Sequence, residues 1–219
     1  MANTLAAFGF RQFGRQDGGS PTAGFDTLLI LSSDTSVIFT GDPVQSSTAA
    51  TQGFGNYVTQ MSTNLGGQPV RGIFMGCEYY LASVNRKVWS PYFPGSVATS
   101  CGTADVQSWV CTDPDMRWLV QVQGVTAGST NTVLASSAMN LNFGFSSGTI
   151  GVGNTTTGIS AATLASSTGA TTNTLPFRLI DFYSNYAPPG VNGTDNTTTF
   201  QMVIVTANNW DRNQLTGTG

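Results

Sequence analysis

The sequence predicts an all-β fold, a β-sandwich or jelly-roll-like domain with an extended N-terminal arm, and three observations carry that expectation. Glu78 is the only glutamate and Lys87 the only lysine in 219 residues, so two residues that favour exposed helix surfaces are nearly missing. Thr, Val, Phe and Tyr recur in short runs of alternating polarity, the pattern of strands with one buried face. Turn signals break those runs at Gly41-Asp42-Pro43, Gly66-Gly67, Pro94-Gly95, Asp113-Pro114-Asp115 and Pro188-Pro189-Gly190. Many short strands at this spacing favour a sandwich, jelly roll or barrel. No helical period is long enough to supply the crossovers of a parallel α/β sheet.

Residues 1–24 mix Phe8, Phe10 and Phe13 with glycine and end in Asp17-Gly18-Gly19-Ser20-Pro21. They read as an extended arm with aromatic anchors, or as an edge strand followed by a loop. Residues 25–219 read as a single β-rich domain. Its clearest strands are expected at 26–31, 37–40, 70–80, 87–90, 106–111, 117–123, 140–145, 177–183 and 200–207. Within 117–123, Trp118, Val120 and Val122 fall on one face and Arg117, Leu119, Gln121 and Gln123 on the other. Within 200–207, Phe200, Met202, Ile204 and Thr206 oppose Gln201, Val203 and Val205. Apolar residues on both faces predict a central strand between two layers. Residues 146–174, rich in Ser, Thr, Gly and Ala, read as a long ordered contact loop. In it Ile159 to Leu164 is compatible with a short helix capped by Ser160.

Charged residues make up 9% of the chain, against about 25% in ordinary soluble domains. With 8 basic residues and a net charge of -3, the chain lacks the electrostatic footprint for nucleic acid or an anionic membrane. No stretch approaches the ~20 apolar residues of a membrane span. The first fifteen residues carry no apolar signal core, so the chain is expected to be made and folded in the cytoplasm, with Asn154, Asn192 and Asn196 unglycosylated. Cys77, Cys101 and Cys111 lack the paired spacing of a zinc site, and no histidine completes one, so no metal or cofactor is expected. Cys101 and Cys111 are placed to close a hairpin as a disulfide, but the odd count favours three buried thiols.

The absence of histidine also decides how the apparent catalytic motifs read. Gly144, Ser146 and Gly148 fit the G-x-S-x-G nucleophile elbow, but no histidine is present to act as its base. Ser33-Asp34-Thr35-Ser36 looks like half of an aspartic-protease site. The second half, which would share a proton with Asp34, is missing, and a turn after an apolar strand is the simpler reading. Asp113-Pro114-Asp115 reads as a turn in preference to a calcium loop. The densest aromatic cluster, Trp89-Ser90-Pro91-Tyr92-Phe93-Pro94-Gly95, reads equally as a stacking or subunit-contact platform and as a strand end packed over the core.

Several stretches resemble a family of small virion proteins of tailed bacteriophages, the capsid decoration (cement) and head structural proteins. They are Met1-Ala2-Asn3-Thr4-Leu5 with Gly9-Phe10, then Ile38-Phe39-Thr40-Gly41-Asp42-Pro43-Val44, and Gly72-Ile73-Phe74-Met75-Gly76-Cys77-Glu78-Tyr79. The likeness continues through Trp89 to Gly95, Thr174-Leu175-Pro176-Phe177-Arg178, Asn208-Asn209 and Leu215-Thr216-Gly217. The resemblance implies a non-enzymatic protein on the capsid surface, made in the host cytoplasm. It would bind the major capsid protein lattice as a homo-oligomer, a dimer or trimer, and stabilise the head. Phe8, Phe10, Phe13, Trp89, Tyr92 and Phe93 are the candidate protein contacts, and no catalytic residue is assigned. The alternative is a tail or fibre adhesin or carbohydrate-binding module with Trp89, Tyr92 and Phe93 as the platform. A carboxylate-based hydrolase is the third reading.

Overall fold

The computed structural model of the chain describes residues 3–19, 24–47, 57–61, 69–95, 104–129, 132–183 and 195–211. Among them there is no α-helix, only single 3-10 turns at Ser136–Ala138 and Ser166–Thr168. Among the described residues no helix is long and apolar enough to cross a membrane. Among the described residues sixteen strands form several sheets in a β-sandwich-like domain: β1 Arg11–Arg15, β2 Phe25–Ile30, β3 Ile38–Phe39, β4 Pro43–Ser46, β5 Val58–Gln60, β6 Gly72–Leu81, β7 Arg86–Ser90, β8 Tyr92–Phe93, β9 Val106–Cys111, β10 Met116–Gln123, β11 Asn142–Phe143, β12 Gly153–Asn154, β13 Ile159–Ser160, β14 Leu164–Ala165, β15 Phe177–Phe182 and β16 Met202–Ala207.

Two six-stranded sheets organise the molecule. The first runs β1-β10-β16-β15-β11, with β14 parallel to β10; the second runs β2-β9-β6-β4-β5, with β7 also on β6. Their inner faces enclose one core, built from Trp118, Val120, Val122, Phe177, Leu179, Val203 and Val205 of the first sheet against Ile73 and Cys111 of the second. The other face of the second sheet carries a separate core. There Leu28, Ile30, Val44, Phe74, Cys77, Val106 and Val110 are covered by Ile38 of β3 and Phe93 of β8. Apolar residues on both faces of β6 and β9 follow from this position between two layers. β16 lies between β10 and β15 in the first sheet; Val203 and Val205 face the inter-sheet core, and Ile204 and Thr206 are buried on its other face outside both cores.

Residues 3–15 belong to the domain, and the edge-strand reading of the N-terminus is the one realised. β1 pairs antiparallel with β10, and Phe10 is fully buried, its ring stacked on Phe177 at 4.4 Å. Upstream, Gln121 holds the chain by donating to the Thr4 carbonyl and accepting from the Ala6 N–H, both at 2.9 Å. This contact explains why Gln121 is buried on the face the alternation marks as polar. Residues 210 and 211 are held similarly: Trp210 is buried against Phe177, and Arg71 pairs with Asp211.

The segment 146–174 is ordered, but its middle is core. Ala162, Leu164 and Ala165 are fully buried, and Leu164 pairs in parallel with Val122. The expected helix at 159–164 does not form. Ser160 does accept from the Ala162 N–H at 2.8 Å, as a cap would, yet the chain continues extended. Pairing of β13 with β12, the Thr163 hydroxyl bonded to Gln123, and the β10 register outweigh one helical turn.

Cys77 and Cys111 are free thiols, both fully buried, and burial raises the Cys111 pKa; Cys101 lies outside the described residues. Native protein is therefore expected to leave Cys77 and Cys111 unlabelled by a maleimide that modifies both in guanidinium, as read by peptide mass mapping.

Candidate binding surface

Paired residues in neighbouring strands share a face. In the second sheet this builds one row from Thr27 through Trp109 to Gly76, and a second from Leu29 through Gln107 and Glu78 to Trp89. Tyr80 and Lys87 form the next pair on the same side. Closer to the first sheet, this face supplies Ile73 and Cys111 to the inter-sheet core. Beyond Gly76 it leaves the core. Trp89 is 64% exposed, Phe25 is 38% exposed, and Trp109, Tyr80, Gln107 and Glu78 are half-buried.

Gly76 gives this surface its floor. It opposes Trp109 at a β-bulge, with φ of +144°, a conformation that side chains rarely adopt. The Trp89 indole lies beside it: a Cβ at Gly76 would stand 3.5 Å from Cζ2 and 3.6 Å from Nε1. Lys87 Nζ lies 3.2 Å from Glu78 Oε1, so the charges within the patch cancel. The result is a surface of indole and phenol rings interleaved with hydrogen-bonding groups.

The structure separates the contact residues expected from sequence. Of the Trp89 cluster, Trp89 faces solvent, Tyr92 is half-buried and stacked on Phe39 at 5.2 Å, and Phe93 is fully buried in the second core. Phe93 therefore cannot contact a partner in the folded chain, and neither can Phe10. Phe8 is half-buried under the Arg11 guanidinium, 4.9 Å from its ring. Phe13 is 41% exposed on the edge strand β1, with Tyr183 edge-on at 5.8 Å and Arg117 at 6.0 Å. Trp109, Tyr80 and Phe25 are the surface aromatics that sequence reading missed. The alternation of Gln107 and Trp109 against Val106, Ser108 and Val110 was the signal for Trp109. The bulge before Gly76 hid the matching register on β6.

The residues of the apparent catalytic motifs are held by hydrogen bonds. Ser146 is fully buried and donates to the Gly124 carbonyl, while Asp34 accepts from the Ser36 N–H at 2.8 Å and the Thr59 hydroxyl at 2.7 Å. Asp113 accepts from Arg15 and from the Asp115 N–H, closing its turn. Among the described residues no three His, Cys, Asp or Glu side chains are grouped to hold a metal.

One acid stands apart. Asp42 is fully buried with no cation beside it among the described residues, accepting from the Phe39 N–H at 2.8 Å, the Gly151 N–H at 3.2 Å and the Ser160 hydroxyl at 2.6 Å. Burial outweighs those donors and pushes its pKa up to about 7. It joins the β3–β4 turn to the segment holding β12 and β13. Near that segment an open groove of about 710 Å3 runs between Ala7, Phe8 and Arg11 on one side and Val152, Asn154 and Thr157 on the other.

No family model, curated protein or solved structure matches the chain.

Proposed function

We propose that the chain is a non-enzymatic virion structural protein, a capsid decoration (cement) protein that binds the major capsid protein lattice and stabilises a phage head. The observation that carries this reading is β1, an edge strand at the end of the first sheet that presents the exposed Phe13 between Arg11 and Arg15. An edge strand adds a partner strand through main-chain hydrogen bonds, which need no charge, and an aromatic beside it supplies an anchor. The virion-family stretches in the sequence support the same reading, and many lattice copies turn modest contacts into firm attachment.

Copy number on purified particles, read by quantitative gel, tests the reading: hundreds per particle support decoration, and a handful would assign the chain to the tail or fibre. Phe13→Ala is expected to reduce occupancy of the shell at limiting protein about tenfold or more, while thermal stability changes by less than ~1 kcal/mol because the ring is exposed. Wild-type occupancy in that variant would remove the β1 edge from the mechanism.

A further inference from the structure

We propose that the outer face of the second sheet binds a neutral oligosaccharide, with Trp89 and Trp109 stacking on sugar rings and Gln107 and Glu78 hydrogen-bonding to hydroxyls. This goes beyond the decoration reading and does not depend on it. Trp89, at 64%, is the most exposed large apolar side chain among the described residues. A rigid indole held on a β-hairpin has little conformational entropy to lose on stacking.

The layout selects the ligand. Trp109 on β9 and Trp89 on β7 stand on either side of β6, so about 10 Å separates their strands at the usual sheet spacing. Gly76 lies between them, and the absence of a side chain there makes room for the Trp89 indole beside it. A protein partner pressed onto this face would desolvate Gln107, Glu78, Thr27 and Lys87 among the rings, and each left unpaired costs free energy. Lys and Glu are accordingly depleted from protein interface cores. A sugar chain offers apolar C–H faces to the rings and hydroxyls that both donate and accept, so it satisfies the polar groups in place. The Glu78–Lys87 pair leaves no net charge for an acidic sugar to meet. Presented in many copies, weak single sites would hold a glycan-coated surface by avidity.

The test uses the isolated full chain on a printed array of neutral and acidic oligosaccharides, followed by titration of its tryptophan fluorescence with the strongest neutral hit. Neutral glycans are expected to bind, Trp89→Ala to weaken binding at least tenfold with an unchanged melting temperature, and Trp109→Phe to weaken it less. A blank array, binding restricted to acidic glycans, or full affinity in Trp89→Ala would each overturn the proposal. So would concentration-dependent self-association in sedimentation that Trp89→Ala abolishes while the array stays blank, which would give this face to a second copy. Because the shell is absent from the assay, a failure here leaves the copy-number test of decoration untouched.

Discussion

Replacing Phe10 with alanine is expected to lower stability by about 3–5 kcal/mol, the usual range for deleting a fully buried phenylalanine, and to lower the denaturant midpoint accordingly. The ring lies in the inter-sheet core, stacked on Phe177, which also meets Trp210 edge-on at 6.4 Å. Its removal therefore opens a cavity where Phe10 and Trp210 meet Phe177 of the first sheet, and the stacking contribution is lost with the buried area. Chemical unfolding followed by tryptophan fluorescence measures the loss, and a change below ~1 kcal/mol would mean that the N-terminal segment is not part of the cooperative unit. For the same reason, removing residues 1–15 is expected to unfold or aggregate the protein. Loss of shell binding after such a truncation would say nothing about a contact role, so Phe13→Ala is the sharper probe.

The second large effect is a dependence on pH seated at Asp42. Its folded pKa stands near 7 against an ordinary value of 3.8. Between those values the folded chain keeps a proton that the unfolded chain releases, so stability falls as pH rises. The contribution is fully present below about pH 4 and lost as pH passes through 7. At about 1.4 kcal/mol per pH unit this amounts to roughly 4 kcal/mol across the window. Asp42→Asn is expected to remove that slope. Its amide oxygen accepts from the Phe39 and Gly151 N–H groups, and its nitrogen donates to the Ser160 oxygen. Asp17 and Asp195, both held below the usual carboxylate range by local hydrogen bonds, act in the opposite sense, so the quantity to plot is the difference between wild type and variant. Parallel stability-pH curves for the two proteins would sink the assignment. The chemistry explains where the effect should appear: ionised Asp42 has three donors but no counter-charge among the described residues, and the element it holds is the β12–β13 segment.

Much of the scaffold was legible because local patterns and tertiary positions agree. The runs at 26–31, 70–80, 106–111, 117–123, 177–183 and 200–207 became β2, β6, β9, β10, β15 and β16 with shifts of a residue or two. Of the short strands, β3 and β11 lie within the expected runs 37–40 and 140–145, whereas β8 and β12 to β14 were not legible. β8 and β12 to β14 are two residues each, and two residues have no periodicity to detect. Their conformations are set by partners distant in sequence, as when Ser160 meets Asp42 across 118 positions.

The candidate surface divides along the same line. Trp89, Tyr92 and Phe93 are equally aromatic and nearly consecutive, yet one is exposed, one half-buried and one in the core. Composition cannot rank them, because burial depends on which layer covers each face. The sequence alone determined the strand class, the burial on both faces of β16, and a composition poor in charge. Those properties follow from residue type and alternation, which act over a few residues. Only the tertiary structure decided that Phe10 is core, that Asp42 is a buried hub, and that Trp109 joins Trp89 on one face across Gly76. Those outcomes depend on strand register and sheet packing, which bring together residues that no local pattern connects.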